Sequence, residues 1–250
     1  MRLVNRALGA ASRRLGRPEL LAAVNARARR IQQEAIGLRA VLAGTLGSHG
    51  TYVDVGTNRG QVLREALRVA PRGHHVAFEP IPALAAQLRS AFPQVDCREL
   101  ALGARAEVAQ FCHYTRLDGW SGLRERPEIS HERGRPEQIS VQVSTVDSEL
   151  AGLAPSVVKI DVEGAELAVL EGARAVLSCA RPLVILEHVQ EAAALYGVQS
   201  GAVWDLLSSL DYEVFSVTGD GPFARADFLA SAASASVVNW LATPGTRAAQ

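Results

Sequence analysis

Acidic residues and one histidine lie at the ends of two short apolar runs of the sequence. Asp161 ends the run at residues 156–161, Glu187 ends the run at residues 183–187, and His188 follows directly. Carboxylate oxygens are the ligands that magnesium and manganese prefer, and a histidine acts either as a metal ligand or as a general base. The pattern predicts a catalytic centre of Asp161, Glu187 and His188, with magnesium or manganese as its candidate metal.

Two further acids follow Asp161 in the same segment. Glu163 is a candidate substrate contact, and Glu166 lies where a helix begins. A structural role is the alternative for part of this cluster, with Glu166 capping the helix and Glu187 hydrogen-bonding to the backbone.

A single lysine interrupts the first of these runs. Lys159 is the only lysine among 26 Lys and Arg residues. Side chains i and i+2 of a strand share a face, so Lys159 and Asp161 point the same way. Two roles stay open for Lys159, one catalytic and one structural. Burial lowers the pKa of a lysine toward that of a general base, whereas an ion pair with Asp161 would only fasten the strand end.

A glycine turn follows the first predicted strand. In the segment V-D-V-G-T-N-R-G, residues 53–60, Gly56 permits a tight turn and Gly60 opens the next helix. Glu79 ends the second strand in F-E-P, about 20 residues after the turn, where an acid can accept both hydroxyls of a ribose. The two features predict a nucleoside-bearing cofactor. The missing middle glycine of the dinucleotide fingerprint disfavours NAD and FAD.

Short β-branched runs alternate with helical stretches after residue 50. We predict strands at residues 51–55, 75–78, 95–100, 156–161 and 183–187, helices at 59–69, 82–92, 165–177 and 204–210, and closing strands at 213–217 and 236–241. This alternation indicates an α/β architecture, a parallel sheet covered by helices on both faces.

The chain before residue 48 has a different pattern. Apolar residues recur there at steps of three and four, at Val24, Ala28, Ile31, Ala35, Leu38 and Leu42. We therefore predict a helical amino-terminal extension at residues 1–47 and a catalytic domain at 48–250. The apolar face packs on that domain or, alternatively, forms a homodimer seam or a cap over a ligand site.

A long polar segment divides the predicted domain. Two alternating runs, at residues 108–114 and 139–146, bracket the polar residues 115–138. A loop of this length inside a compact domain is usually a lid or a binding loop, so we expect a lid over the site. His113 is a candidate for orienting a sugar, and Trp120 for stacking on a pyranose face.

The composition excludes several classes of protein. With 250 residues and 48% hydrophobic content the chain can bury a full core, which excludes a disordered protein. A formal net charge of +0 gives no global field for nucleic acid, and three cysteines without a C-x-x-C pair argue against a disulfide framework. No stretch approaches the roughly 18 apolar residues of a membrane span. We expect a cytoplasmic protein.

Four segments of the sequence resemble the FkbM family of S-adenosylmethionine-dependent O-methyltransferases. They are V-D-V-G-T-N-R-G, F-E-P, V-V-K-I-D-V-E-G-A-E at residues 157–166, and L-E-H at 186–188, and they follow in order over residues 51–189. The resemblance implies a class I methyltransferase fold, which is a Rossmann-like, seven-stranded, mostly parallel sheet with a reversed last hairpin. It also implies methyl transfer from S-adenosyl-L-methionine to a hydroxyl.

The resemblance further implies roles for individual residues. Around the cofactor's amino-acid end it places Asp54, Gly56 and Gly60, with Asn58 and Arg59 near the carboxylate, Glu79 on the ribose, and Ala101 and Leu102 along the adenine. In the lid, Trp120, Ser121 and Gly122 lie close to where family members carry a small polar residue that reaches the site. Residues 1–47 and the lid lie outside the resemblance, although substrate identity would be encoded there.

Methyl transfer to an alcohol needs an oxygen that has lost its proton. A positioned base or a divalent cation supplies this, and the carboxyl end of the fourth strand offers both. The polar lid favours a sugar or saccharide acceptor, as in polysaccharide or glycoconjugate biosynthesis. A polyketide or another secondary metabolite is the alternative acceptor. A nucleotide-dependent oxidoreductase and a non-catalytic binding protein are the alternatives from other functional classes.

Overall fold

The computed structural model describes the backbone of residues 18–246 and the side chains of residues 26–246. The part of the predicted extension at residues 1–17 lies outside the described residues. The strands are β1 Tyr52–Val55, β2 Val76–Phe78, β3 Asp96–Arg98, β4 Ala101–Leu102, β5 Glu107–His113, β6 Glu137–Ser144, β7 Val157–Ile160, β8 Leu183–Glu187, β9 Tyr212–Ser216 and β10 Asn239–Pro244. The helices are α1 Pro18–Thr45, α2 Gln61–Val69, α3 Pro82–Ala91, α4 Pro127–Arg133, α5 Val146–Glu149, α6 Glu166–Glu171, α7 Arg174–Cys179, α8 Gln190–Ala194, α9 Ala202–Ser209 and α10 Arg225–Ala233.

The main sheet has seven strands in the order β3-β2-β1-β7-β8-β10-β9. The first five strands of this order run parallel, and β10 is antiparallel to both of its neighbours. The predicted seven-stranded, mostly parallel sheet with a reversed last hairpin is therefore confirmed. Because the order reverses between β1 and β7, the carboxyl ends of these two strands form the edge at which ligands bind in such sheets.

Both faces of the sheet are buried, which explains why its strands are continuous apolar runs. Val53, Val55 and Ile160 point into a core shared with the later helices. Tyr52 and Val157 point to the opposite face, into a second core that includes residues of α1 and α2. Side chains of alternate strand residues thus belong to different sides of the molecule.

A second, three-stranded sheet has the order β4-β6-β5. The strands β5 and β6 are antiparallel and are joined by the lid, which contains a short 3-10 turn at Asp118–Trp120 and α4. The predicted strand at residues 95–100 is wrong in its extent, because the chain leaves the main sheet after Arg98 and pairs Ala101 with Val143 of the second sheet.

Several helices differ from the prediction, and the short helices α4, α5 and α8 were not among those expected. The helix expected at residues 165–177 is divided into α6 and α7 around Gly172, where a Cβ atom would overlap the carbonyl oxygen of Gly103. The chain therefore approaches the second sheet too closely for a continuous helix with a side chain at that position. The helix α10 was not predicted from the sequence, because its run of alanine and serine has no clear apolar stripe.

The amino-terminal helix α1 packs its last turns onto the main sheet. Leu38 and Leu42 are buried in the second core, as expected for an apolar face that covers the following domain. The predicted stripe is wrong at Ala35, which is exposed, while the neighbouring Glu34 is buried. A homodimer through α1 stays a prediction. No helix within residues 18–246 is long and apolar enough to cross a membrane.

Candidate active site

The carboxyl edge of the main sheet brings the predicted site residues together. Asp54 of β1 lies directly opposite Lys159 of β7. Ile160 lies opposite Leu186 of β8, so the residues that follow, Asp161 and Glu187, also lie side by side. Since these positions alternate with core residues, all four polar side chains point to the side of the sheet that α1 and α2 cover.

The glycine turn after β1 packs directly against the segment that follows β7. Gly56 has φ 80°, and a Cβ atom there would overlap the carbonyl oxygen of Asp161. The backbone N–H groups of Gly56 and Thr57 donate to the carbonyl oxygen of Phe78 at 3.0 and 3.1 Å. The absence of a side chain at Gly56 therefore allows the turn to lie against the acidic strand end.

Glu79 is a buried carboxylate that is held by two backbone amides. Its Oε2 accepts from the N–H of Asn58 at 2.7 Å, and its Oε1 accepts from the N–H of Ile81 at 3.0 Å. Burial raises the pKa of Glu79 to about 7, although these two hydrogen bonds oppose the rise. Each oxygen of a carboxylate accepts about two hydrogen bonds, so each keeps an acceptor position for a further donor.

Asp54 is almost completely buried beside Lys159. The two charged groups are 3.9 Å apart, and the Oδ1 of Asp54 has no hydrogen-bond partner among the described residues. Burial raises the pKa of Asp54 to about 6, against the attraction of the Lys159 ammonium. The buried hydroxyl of Tyr52, which also has no other partner in the described part of the chain, is a donor within the protein that opposes this rise.

Lys159 forms an ion pair with Asp161, which is the structural role considered for it in the sequence analysis. Its Nζ donates to Oδ2 of Asp161 at 2.9 Å. Burial alone would lower the pKa of Lys159, but the nearby carboxylates of Asp161, Asp54 and Glu187 together raise it above its ordinary value. A raised pKa is opposite to the shift that a general base needs, so the geometry favours the structural role of Lys159.

Glu187 shares the edge with Asp161. The negative charge of Asp161 and then burial raise the pKa of Glu187 to about 8, while Lys159 opposes the rise. Asp161 and Glu187 are both partly open to solvent, unlike Asp54 and Lys159. The edge thus presents two adjacent carboxyl groups to a ligand, and the raised pKa of Glu187 favours its protonated form near neutral pH.

His188 points away from this edge. Its side chain is 2% exposed, its Nδ1 is 3.3 Å from Oε2 of Glu166, and its ring stacks on Phe228. Adjacent strand residues point to opposite faces, so the succession of Glu187 and His188 could have separated the two from sequence. The predicted roles of His188 as base and metal ligand are wrong, since its ring is enclosed in the opposite core.

The predicted metal centre of Asp161, Glu187 and His188 is therefore not formed. Among the described side chains, those of residues 26–246, no group of three His, Cys, Asp or Glu is placed so that it could hold a metal ion. Glu166 has a structural role, but not the expected one of a helix cap. Its Oε1 accepts from the N–H of Gly164 at 2.8 Å, before the helix, and α6 has no side-chain cap.

The lid is joined to the edge by two ion pairs. Arg59 of the glycine turn contacts Asp118, and Arg126 contacts Glu163 at 2.5 Å. Burial and the charge of Asp161 raise the pKa of Glu163, and Arg126 opposes this rise. Arg126 was not singled out from the sequence, because nothing in the pattern of a polar loop shows that one of its arginines is buried.

The predicted substrate contacts in the lid differ in their accessibility. Trp120 is 37% exposed, with the guanidinium of Arg126 over its ring at 5.1 Å from the centroid. His113 is 3.3 Å from Asp118. A substrate contact of Ser121 is not supported, because its buried hydroxyl accepts from the N–H of Tyr114 at 3.0 Å inside the lid.

The remaining predicted cofactor contacts occupy two places. The backbone of Asn58, at φ 51°, holds Glu79, and the side chain of Arg59 is directed to the lid rather than into the turn. Ala101 and Leu102 are buried in β4 beside β6. Contacts of these residues with a cofactor stay predictions.

The sheet order is that of a class I methyltransferase fold, and the glycine turn and the acid at the end of β2 lie where such a sheet binds a nucleoside-bearing cofactor. A family model described as the methyltransferase FkbM domain matches residues 54–214. The chain belongs to the FkbM methyltransferase family.

Several solved structures are similar to this chain. The methyltransferase FkbM from Methylobacillus flagellatus KT is 18% identical, with a TM-score of 0.48; the match covers 79% of this chain and 44% of that one. The O-methyltransferase from Bacillus cereus, in complex with SAH, is 12% identical, with a TM-score of 0.43 and coverage of 90% and 88%. A TehB-like SAM-dependent methyltransferase from Corynebacterium glutamicum is 10% identical, with a TM-score of 0.47 and coverage of 90% and 99%. No curated protein matches the chain.

Proposed function

We propose that this methyltransferase acts on oxygen, and that its acceptor is a hydroxyl group of a sugar or saccharide. The observation that carries the proposal is the pair of adjacent, partly exposed carboxyl groups of Asp161 and Glu187, directly beside the glycine turn. A hydroxyl needs a base when it attacks, and this pair is the group at the edge that can accept a proton.

The residues of the turn fit S-adenosyl-L-methionine. Glu79 has one free acceptor position on each oxygen, which matches the two hydroxyls of a ribose. The unpartnered Oδ1 of Asp54 suits a donor at the cofactor's amino-acid end. The chemistry that the cofactor supplies is a methyl group on a positively charged sulfur.

Glu187 is the general base in this proposal. With a pKa of about 8 it holds a proton in the free protein, and a cation bound at this edge favours its ionised form. The ionised carboxylate accepts the hydroxyl proton while the oxygen forms its bond to the methyl carbon. The carbon–sulfur bond breaks in the same step, and its electron pair stays on sulfur.

Asp161 and Lys159 support the base rather than replace it. The Lys159 ammonium, 2.9 Å from Asp161, balances one of the negative charges that accumulate at the edge. Asp161 is then placed to accept a hydrogen bond from the acceptor or from Glu187. The ion pair also fixes the strand end on which both catalytic carboxyl groups depend.

The lid supports a saccharide as the acceptor class. Its residues nearest the edge are polar or aromatic, and Trp120 keeps one ring face free of the Arg126 guanidinium. Hydroxyl-rich rings combine hydrogen bonds to charged side chains with stacking on an aromatic face.

A less polar acceptor, such as a polyketide or another secondary metabolite, is the second candidate. Two adjoining grooves of about 420 Å³ each share Ala165, Ala168 and Tyr196. The second groove extends from these residues to Leu123 and β5, and both grooves expose more apolar than polar surface, which would suit a longer apolar acceptor.

A screen of hydroxylated acceptors, saccharides first and polyketides second, tests the proposal through production of S-adenosylhomocysteine from S-adenosyl-L-methionine. We expect turnover with a saccharide, and a loss of at least about a hundredfold in Glu187→Gln. The matched control is Glu213→Gln, which changes an exposed acid on β9.

Two results would overturn the proposal. Turnover that survives both Asp161→Ala and Glu187→Ala would place the chemistry elsewhere. Methylation of nitrogen or carbon, identified in the product by mass spectrometry and NMR, would remove the oxygen acceptor.

A further inference from the structure

The amino-terminal helix reaches the carboxyl edge of the sheet. The chain passes from α1 through Leu46 to the first residue of β1, so the end of the helix lies at the amino edge and its start lies toward the opposite edge. At 1.5 Å per residue, the twelve residues from Leu46 back to Glu34 span about 18 Å, which is close to the length of a five-residue strand, about 17 Å.

Three residues on one side of α1 contact the loop and strand ends at that edge. They are spaced at i, i+4 and i+7, which places them in one row along the helix. Arg30 donates to the carbonyl oxygen of Ala235, and a Cβ atom at Gly37 would overlap the carbonyl oxygen of Val217. Glu34 lies between them.

Glu34 is a buried carboxylate with specific partners. It is 9% exposed, and its Oε2 accepts from Nδ2 of Asn239 at 3.0 Å. Its Oε1 lies 3.4 Å from the N–H of Val238 and 3.8 Å from Nε of Arg30. Burial of a carboxylate costs free energy that an apolar residue would not, so a helix that needed only packing would be better served by leucine here.

The two residues that Glu34 contacts, Val238 and Asn239, pair with the end of β8, where Glu187 lies. Asn239 lies directly opposite Glu187 in the antiparallel pair of β10 and β8. The carbonyl oxygen of Val238 accepts from the N–H of His188 at 2.9 Å. A shift of Glu34 would therefore move the backbone of β10 that pairs with β8, and with it the position of the Glu187 side chain at the carboxyl edge.

From this geometry we propose that Glu34 of α1 is a positioning residue for Glu187. The contact chain is Glu34, Asn239, Glu187, and it runs from the helix to the proposed base through one hydrogen bond and one strand pair. This inference rests on the proposed function of Glu187.

Glu34→Leu and Asn239→Ala test the contact, with Glu34→Gln as the conservative variant and Gln33→Ala as the control on the exposed side of the same helix. We expect Glu34→Leu to lower kcat for methyl transfer about tenfold, because small displacements of a reacting group cost this much or more. The KM for S-adenosyl-L-methionine should stay unchanged. Glu34→Gln should retain most of the rate, since its amide oxygen still accepts from Asn239.

A double-mutant cycle distinguishes positioning from general loss of stability. The combined variant Glu34→Leu/Asn239→Ala should lose no more kcat than either single variant, because both remove the same contact. Additive losses, or a full rate per folded molecule in Glu34→Leu, would overturn the inference.

Hydrogen exchange supplies a readout without an acceptor. The His188 amide should lose protection in Glu34→Leu and keep it in Gln33→Ala, and unchanged protection in both would overturn the inference. If the unmodified protein failed to methylate any hydroxyl while this exchange pattern held, the proposed function would fail and the contact would stand.

Discussion

The affinity for the nucleoside part of the cofactor should depend on pH through Glu79. This buried carboxyl has a pKa of about 7, and its two protein hydrogen bonds leave acceptor positions that only the ionised form offers in full. A ribose that donates both hydroxyls to Glu79 therefore binds the ionised protein. Raising the pH through the pKa should tighten binding.

The size of the effect follows from the fraction of ionised carboxyl. For a pKa of about 7, this fraction rises from about one-eleventh at pH 6 to about one-half at pH 7, which predicts about fivefold tighter binding. Asp54, with a pKa of about 6, adds a further factor of about two for a ligand that also contacts it.

Two ligands separate these contributions. Adenosine carries the ribose without the amino-acid end, so its affinity should rise about fivefold from pH 6 to pH 7, whereas the affinity of S-adenosylhomocysteine should rise about tenfold. Isothermal titration calorimetry in two buffers of different ionisation heat measures both affinities. At pH 7 it should also show the release of about half a proton when adenosine binds.

Glu79→Gln is the decisive variant, with Glu65→Gln on α2 as the control for the loss of an acid. Adenosine should bind Glu79→Gln more weakly, with no dependence on pH between 6 and 7, while Glu65→Gln should retain the full dependence. A flat profile in the unmodified protein, or a retained slope in Glu79→Gln, would refute the assignment of Glu79 to the ribose.

Three other expectations concern the edge of the sheet. Lys159→Met removes the cation between Asp54 and Asp161, so the free energy of unfolding, measured by urea denaturation, should fall by about 3 kcal/mol, and an unchanged value would contradict the buried ion pair. Gly56→Ala should lower the free energy of unfolding by about 3 kcal/mol and abolish S-adenosylhomocysteine binding. The control Gly152→Ala has a similar φ of 82° but lies in open space, so it should lower the free energy of unfolding by only about 1 kcal/mol. Equal costs would contradict the close approach of the turn to Asp161. Turnover should persist in EDTA, since the described residues do not assemble the predicted metal ligands, and a loss reversed by added magnesium would contradict this.

The positions that could be predicted from sequence are those that depend on strand periodicity. Apolar runs placed Asp161 at a strand end and Lys159 within the same strand. The spacing of two put both on one face, where they form an ion pair. The same periodicity, applied to Glu187 and His188, separates the partly exposed Glu187 from the buried histidine. Local rules therefore suffice where neighbouring strands bring similar positions to a common edge.

The positions that could not be predicted depend on contacts distant in sequence. Arg126 is buried because it forms an ion pair with Glu163, which lies 37 residues later in the sequence. Glu34 is buried because Asn239, 205 residues later, lies beside it. In both segments the sequence shows only a charged residue among others, on a polar loop or between the apolar positions of a helix. Neither local sequence pattern includes the distant residue whose contact allows the charged side chain to be buried.

The excess of carboxyl groups at the edge has a physical consequence for the order of events. Asp54, Glu79, Glu163 and Glu187 all have raised pKa values, chiefly through burial and mutual repulsion, and Lys159 and Arg126 balance only part of their charge. Such a site favours a positively charged ligand, and the donor is a cation until its methyl group leaves. Transfer removes this positive charge, so the product is held less strongly than the donor by the same carboxylates. The same carboxyl groups lower the stability of the free protein as the pH rises from about 4 through their raised pKa values, because the folded state resists their ionisation. Their mutual repulsion is thus the term that favours donor over product.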